Sequence, residues 1–446
     1  MNDILVSTVV ISLGAFVVVV ASRRFAPFEQ RILGLAFAAH LAGAIAQIAI
    51  TLGVYASGDM LLYLSEGSLV GHAIELDPAR FGKYWLALLL QSELPEELPI
   101  TGAGFGTGSM VALTAALAVL LRHSLYAIGF TFSISACLGK LALYTVFRDV
   151  LPRSQHFRSL VAIMLFPSSI FWAAGIVKEA VVIAAIGPVW LGLHRLMSGK
   201  RVWGLALIGL SAFVIGLVKP YTLVALVVAA ATWFSVRRFS EREGLTKKLA
   251  IRPLYLLVAA GVIYAGILAI GRVAPLYSFE NLGEDLARQQ GLGAEIRGGS
   301  TYAMGSAEAA SIQQQIAFAP VAVATVFFRP FFFEVPNVLA LITSLEITVL
   351  TVLLFQGLFR QGARSWIRTV LSTPVFVASA TFCLTFAVGV GLGSTNFGTL
   401  ARYRTPLIPF YGLLVVVLAK RRPALRADDT PRRPVMLDRI RATRRT

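Results

Sequence analysis

The chain has 446 residues, 57% hydrophobic and only 14% charged, with a mean hydropathy of +0.75. A soluble domain carries about 45–50% apolar and about 25% charged residues, so the soluble globular, disordered and disulfide-scaffold classes are excluded. The net charge of +17, from 40 Lys and Arg against 23 Asp and Glu, would suggest nucleic acid in a soluble protein; in a membrane protein it reports basic cytoplasmic loops.

In chain order, the first apolar run, 3–22, lacks a basic segment before it and a small-residue cleavage site, and Arg23 and Arg24 follow it. It therefore reads as a retained helix rather than a secretion signal. A bilayer core of about 30 Å takes roughly 20 helical residues. Apolar runs fit that length at 3–22, 32–54, 125–147, 159–177, 180–197, 202–218, 221–236, 254–272, 338–358, 372–395 and 405–419. Two shorter runs, 108–121 and 316–328, are settled by charge. The segments 23–31, 148–158, 194–201, 237–252, 360–368 and 420–446 carry +2, +2, +3, +4, +3 and +7. All six fall on one face only if both short runs lie along the outer interface, and the positive-inside rule makes that face cytoplasmic.

The expected architecture is an all-α polytopic integral membrane protein with 11 transmembrane helices, the N-terminus outside and the C-terminus inside. Two large outer loops, 55–124 at −4 and 273–337 at −3, each hold an interfacial helix. Long loops of this kind are where function concentrates. The chain divides into an N-terminal span and inner loop (1–31), a transmembrane module (32–272) containing the first outer loop, the second outer loop (273–337), the C-terminal spans (338–419) and a basic, disordered tail (420–446). No internal repeat is visible.

Polar residues at the outer ends of spans are the candidate site. Asp59, in Tyr55-Ala-Ser-Gly-Asp59-Met-Leu-Leu-Tyr63-Leu-Ser-Glu66, suits either a helix cap or a general base. Lys178 and Glu179 end the run Phe166-Pro-Ser-Ser-Ile-Phe-Trp-Ala-Ala-Gly175-Ile-Val-Lys178-Glu179 at a turn too short to solvate them. Negative charge at a helix N-terminus is favourable there, and ionisable groups at such depth line polar cavities. Lys219, in Lys219-Pro-Tyr221, marks another short outer turn, and Asn396-Phe-Gly-Thr-Leu-Ala-Arg402-Tyr-Arg404-Thr-Pro406 places two arginines outside. These suit interfacial anchoring or phosphate binding. Arg329 and Glu334 flank a Phe cluster in the second loop, while Glu346, Lys140 and His40 fall within spans. The Gly102–Gly108 run reads as a flexible entry to the interfacial helix. Cys137 and Cys383 lie in apolar runs, and no Walker, Rossmann, HExxH or GxSxG motif occurs, so an activated substrate has to arrive through the membrane.

A span, then a large outer loop opening on an acid (Asp59) and holding an interfacial helix (108–121), then a second acid on a short outer turn (Glu179), resembles the GT-C superfamily of polytopic glycosyltransferases. Protein O-mannosyltransferases and the lipid A aminoarabinose transferase are members. The layout covers about residues 32–272; an extra first span and a Lys-Glu pair in place of Asp depart from it. The segments 166–179, 328–346 and 396–409 also resemble bacterial membrane proteins linked to surface-polysaccharide synthesis.

The resemblance implies a polyprenyl-phosphate sugar donor, a glycan, lipid or protein acceptor, and a single inverting displacement on the outer face of a bacterial inner membrane. Asp59 would be the base and Glu179 would orient it or another group. Lys178, Lys219, Arg402 and Arg404 would hold the lipid phosphate, and Tyr63, Glu66, Arg329 and Glu334 would contact the acceptor or the loops. A divalent metal, if used, would sit at Asp59 and Glu179; no covalent cofactor and no nucleic acid are implied. The alternatives are a polysaccharide polymerase or O-antigen-ligase-like enzyme relying on Arg329, Arg402 and Arg404, a lipid or polysaccharide transporter, and a structural membrane subunit.

Overall fold

The computed structural model describes residues 2–95, 98–240, 261, 290, 302, 312–335 and 338–419. Among them the regular structure is helical, with no strand. The first half holds α1 (Asn2–Ser22), α2 (Pro27–Ile50), α3 (Asp59–Leu76), α4 (Pro78–Leu90), α5 (Phe105–Leu120) and α6 (Leu125–Val150). Next come α7 (His156–Met164), α8 (Pro167–Phe171), α9 (Lys178–Met197), α10 (Arg201–Val218) and α11 (Tyr221–Ser240). The described C-terminal part holds α12 (Ile312–Ala317), α13 (Ala319–Phe328), α14 (Val338–Gln361), α15 (Ala363–Ser372), α16 (Pro374–Leu392), α17 (Phe397–Tyr403) and α18 (Ile408–Leu418).

Seven helices among the described residues are long and apolar enough to cross a membrane: Asp3–Ser22, Pro27–Tyr55, Leu125–Val150, Lys178–Met197, Arg201–Val218, Ala340–Gln361 and Pro374–Leu392. Each coincides with one of the apolar runs. Large side chains such as Leu13 and Phe16 on α1, Trp203 and Phe213 on α10, and Phe355 and Phe359 on α14 stand exposed. Apolar area of this extent is stable only against lipid or a partner. These are the features of a polytopic membrane protein.

The run 159–177 corrects the sequence reading, because it is not one helix. It breaks into α7, α8 and an irregular stretch leading to Lys178. Pro167 opens α8 and forces Phe166 into extended backbone at φ −67°, ψ 123°, as the residue before proline prefers. The freed groups are satisfied by Glu346 of α14, whose carboxylate accepts from the Ser168 backbone N–H at 2.8 Å and from the Ser168 hydroxyl. Non-helical backbone at membrane depth survives only when protein buries and pairs it. Runs 221–236 and 405–419 correspond to the shorter apolar helices Tyr221–Arg237 and Ile408–Leu418. Run 254–272 apart from residue 261, most of the second outer loop and the tail 420–446 lie outside the described residues.

At the centre α6 crosses α9, where Gly139 and Gly187 bring the two backbones into contact and leave no room for a Cβ. Small residues at a crossing permit that approach. Beside it, rings from five helices meet: Trp190 lies 4.9 Å from Trp233 and 5.0 Å from Phe410, Phe147 lies 5.7 Å from Trp190, and Phe382 lies 4.6 Å from Phe410. Toward the end of the bundle formed by the segments read as inner loops, Arg148 pairs with Glu29 at 2.9 Å and His194 approaches Asp149 at 3.7 Å. The opposite end carries the candidate site. There α5 packs on α3, α4 and α10 with Met110, Val111, Ala112, Ala115 and Ala118 fully buried. Its 16 residues reach about 24 Å, short of the bilayer core. The Gly-rich entry to α5 is a packing device: a Cβ on Gly106 would fall on the Val218 carbonyl oxygen at the end of α10.

Candidate functional site

Four regions far apart in sequence converge at one end of the bundle. Asp59 is the first residue of α3, entered from Gly58 at φ 112°, and one turn later Tyr63 is buried beneath it. Lys178 and Glu179 form the first turn of α9, and Lys219 follows the last residue of α10. Arg402 and Tyr403 end α17, a helix started by the Asn396 side chain accepting from the backbone N–H groups of Gly398 and Thr399. Two helix N-termini, of α3 and α9, thus point positive ends at the same place.

Arg402 is the hub. Its Nη1 lies 3.0 Å from Asp59 Oδ2 and its Nε lies 3.6 Å from Glu179 Oε1. Lys219 Nζ donates to the same Glu179 oxygen at 2.6 Å and sits 4.2 Å from the centre of the Tyr403 ring, where a cation is attracted to the π face. Lys178 Nζ donates to Thr107 Oγ1 of α5 at 3.0 Å and stands 5.9 Å from the Tyr63 ring centre. Exposure grades across the cluster: the Asp59 side chain is 45% exposed, Arg402 22% and Glu179 2%. Three cations face two carboxylates, so the set carries one uncompensated positive charge.

Comparison with family models, with characterised proteins and with solved structures found no match to this chain. The site is therefore read from its own geometry.

Burial works against a charged Lys219, yet the Glu179 carboxylate overrides it and holds the ammonium above its ordinary pKa. Arg402 behaves likewise: desolvation opposes its charge, and Glu179, Tyr403 and Asp59 more than restore it. Burial first, then the carboxylates of Asp59 and Glu179, push the Tyr63 hydroxyl upward, so Tyr63 stays a neutral hydrogen-bonding group. The floor of the site is fixed charge and the rim holds the one accessible acid. Arg402 thus stands against both Asp59 and Glu179 and links the two acids through its guanidinium.

Other sequence candidates lie elsewhere. Arg404 is fully buried, donating from Nη1 to the carbonyl oxygens of Arg329 at 2.7 Å and Val326 at 3.3 Å, and burial pushes its pKa down to about 10. Residues two apart on a helical turn do not face the same way, which is why Arg402 reaches the cluster and Arg404 does not. Arg329 is committed to Glu334, with Nε 2.9 and 3.1 Å from its two carboxylate oxygens, and its guanidinium lies 5.0 Å from the ring centres of both Tyr302 and Phe397. Glu66 accepts from Thr101 N at 2.8 Å, Thr101 Oγ1 at 2.7 Å and Gly102 N at 3.0 Å, pinning the loop before α5 onto α3. Two members of the site escaped the sequence reading. Tyr403 stood unremarked inside the Arg402–Arg404 motif, and Thr107 carries no signal a sequence would show.

Proposed function

We propose that the chain is a membrane glycosyltransferase that moves a sugar from a polyprenyl-phosphate donor to an acceptor hydroxyl on the outer face of a bacterial inner membrane, in cell-surface glycan synthesis. The observation that carries this reading is the pairing of a half-exposed carboxylate, Asp59, with Arg402, itself backed by Glu179 and Lys219. The eleven-span topology with two outer loops belongs to the same reading. The separation of the Glu29–Arg148 and Asp149–His194 contacts from the Asp59–Arg402 cluster, each at its own end of the helices, supports it.

In this mechanism the donor phosphate draws Arg402 away from Asp59 and takes Lys178 as a second contact. Bidentate guanidinium pairing with phosphate is strong enough to displace a partly exposed carboxylate. Asp59, released, accepts the proton of the acceptor hydroxyl. The hydroxyl oxygen forms a bond to the anomeric carbon as the bond from that carbon to the phosphate oxygen breaks, inverting the centre. The electron pair leaves with polyprenyl phosphate, whose growing charge Arg402 and Lys178 stabilise. Glu179, itself fixed by Lys219, keeps Arg402 at the site. No group need protonate the leaving phosphate.

The polymerase or ligase-like alternative needs several free outer arginines. Here Arg404 is buried on carbonyls and Arg329 is bound to Glu334, which favours the single-sugar reading. The experiment is transfer by purified protein from a panel of polyprenyl-phosphate hexoses and pentoses to an acceptor extract, with lipid-diphosphate glycans in parallel. Asp59→Asn is expected to lower kcat at least 100-fold, and Arg402→Ala to raise the donor KM. Full activity in Asp59→Asn would overturn the base assignment, and turnover of lipid-diphosphate glycans alone would move the protein to the polymerase class.

A further inference from the structure

At the far end of α3 from Asp59, about 24 Å along the helix axis, a second constellation is independent of the transferase reading. His72 and Glu75 sit one turn apart on α3, and His123 reaches them from the turn between α5 and α6. His72 Nδ1 and His123 Nε2 each lie 3.3 Å from the same oxygen, Glu75 Oε2. The three ligand atoms all fall within 4.8 Å of one another. The imidazole rings stack, with centroids 3.8 Å apart and planes 11° apart.

Both contacts to Glu75 are long hydrogen bonds, whereas a charged imidazole donating to a carboxylate closes to about 2.7–2.9 Å. Neutral imidazoles and a carboxylate are, however, what a borderline cation requires. In a tetrahedron with arms of about 2.0–2.1 Å the ligand atoms stand about 3.3–3.4 Å apart, as both His–Glu pairs do; the stacked rings do not aim their in-plane lone pairs at one point, so the exposed His72 ring has to turn about its side-chain bonds to receive the ion. The backbone is arranged for this position: Arg122 and His123 both take the left-handed conformation, at φ 54° and 58°, an unusual pair for residues with side chains. Gly71 keeps the space open, since a Cβ there would stand 3.1 Å from the His123 ring.

We propose that His72, Glu75 and His123 form a zinc site, with a fourth position open to water, that ties the C-terminal part of α3 to the turn entering α6. It lies apart from the Asp59–Arg402 cluster, so zinc here holds the first outer loop in shape rather than joining the reaction.

The test uses the full chain purified in detergent without a histidine tag, stripped with chelator and titrated calorimetrically with Zn2+ alone, with Mg2+ and Ca2+ in parallel. Wild type is expected to bind one Zn2+ per chain and neither alkaline-earth ion. Glu75→Gln and His123→Ala are each expected to weaken binding at least tenfold. His72→Ala, at an exposed position, gives the same readout without disturbing the core. Co2+ in place of Zn2+ is expected to give visible ligand-field absorption that His123→Ala abolishes. Absence of binding, equal binding by wild type and all three variants, or loss of binding in Asp59→Asn instead would overturn the proposal.

Discussion

Glu179 and Asp59 are both acids paired with Arg402, but their surroundings give them different energetic weight. Glu179 is buried against Lys219, and removing one member of such a pair strands the other charge, at roughly 3–5 kcal/mol. Asp59 is 45% exposed, and an ion pair open to water contributes about 0–1 kcal/mol. Glu179→Gln is therefore expected to lower the thermal unfolding midpoint in detergent markedly, while Asp59→Asn leaves it nearly unchanged; the two midpoints, measured side by side, check this. A Glu179→Gln/Lys219→Met double variant is expected to recover part of the loss, because the Lys219 ammonium that Glu179→Gln strands is then gone as well. The sequence placed Asp59, Lys178, Glu179, Lys219 and Arg402 as candidates because charges at the ends of apolar runs are conspicuous. It grouped Arg404 with them for the same reason, although a hydropathy pattern carries no information about which way a side chain points.

At the scale of elements, the break at α8 is what delivers Lys178 and Glu179 to the site. A continuous helix through 159–177 would need the Ser168 N–H for its own ladder, and Pro167 prevents that. Glu346 supplies the replacement acceptor from α14. Glu346→Ala leaves the Ser168 N–H and hydroxyl buried without partners, at about 1–3 kcal/mol each. The expected result is a lower midpoint in thermal unfolding and weaker transfer through displacement of Glu179, with Glu346→Gln recovering most of both. An acid near the middle of an apolar run was legible from the sequence; its partner 178 positions earlier was not. The Gly-rich entry to α5 shows the same limit. Composition suggested flexibility, whereas contact of Gly106 with the Val218 carbonyl makes it one of the tightest approaches between the first outer loop and the bundle.

For the molecule as a whole, the charge-based topology makes a sharp expectation. Cys137 and Cys383 are buried, so single cysteines introduced at the surface can be read against a quiet background. Ser57→Cys and Ser92→Cys are expected to react with a membrane-impermeant maleimide in spheroplasts, while Arg24→Cys and Gly199→Cys react only after permeabilisation. Labelling of all four before permeabilisation would remove the membrane arrangement and with it the outer-face site. The zinc site and the cation cluster then occupy two ends of one outer loop: His72, Glu75 and His123 shape it, and Asp59 is the acid it pairs to Arg402.

What the sequence alone determined was the class of protein, the position of most long helices and the identity of the charges at the ends of apolar runs. These depend on the composition of contiguous segments and on the cost of moving charge into hydrocarbon, both local quantities. The tertiary structure decided which of those charges meet. Arg402 joins Asp59 and Glu179 across more than two hundred residues of chain, Arg404 turns inward to backbone carbonyls, and Glu66 and Glu334 serve their own loops. Such pairings follow from helix crossings and from the direction each side chain takes off its helix, which exist only once the helices have packed.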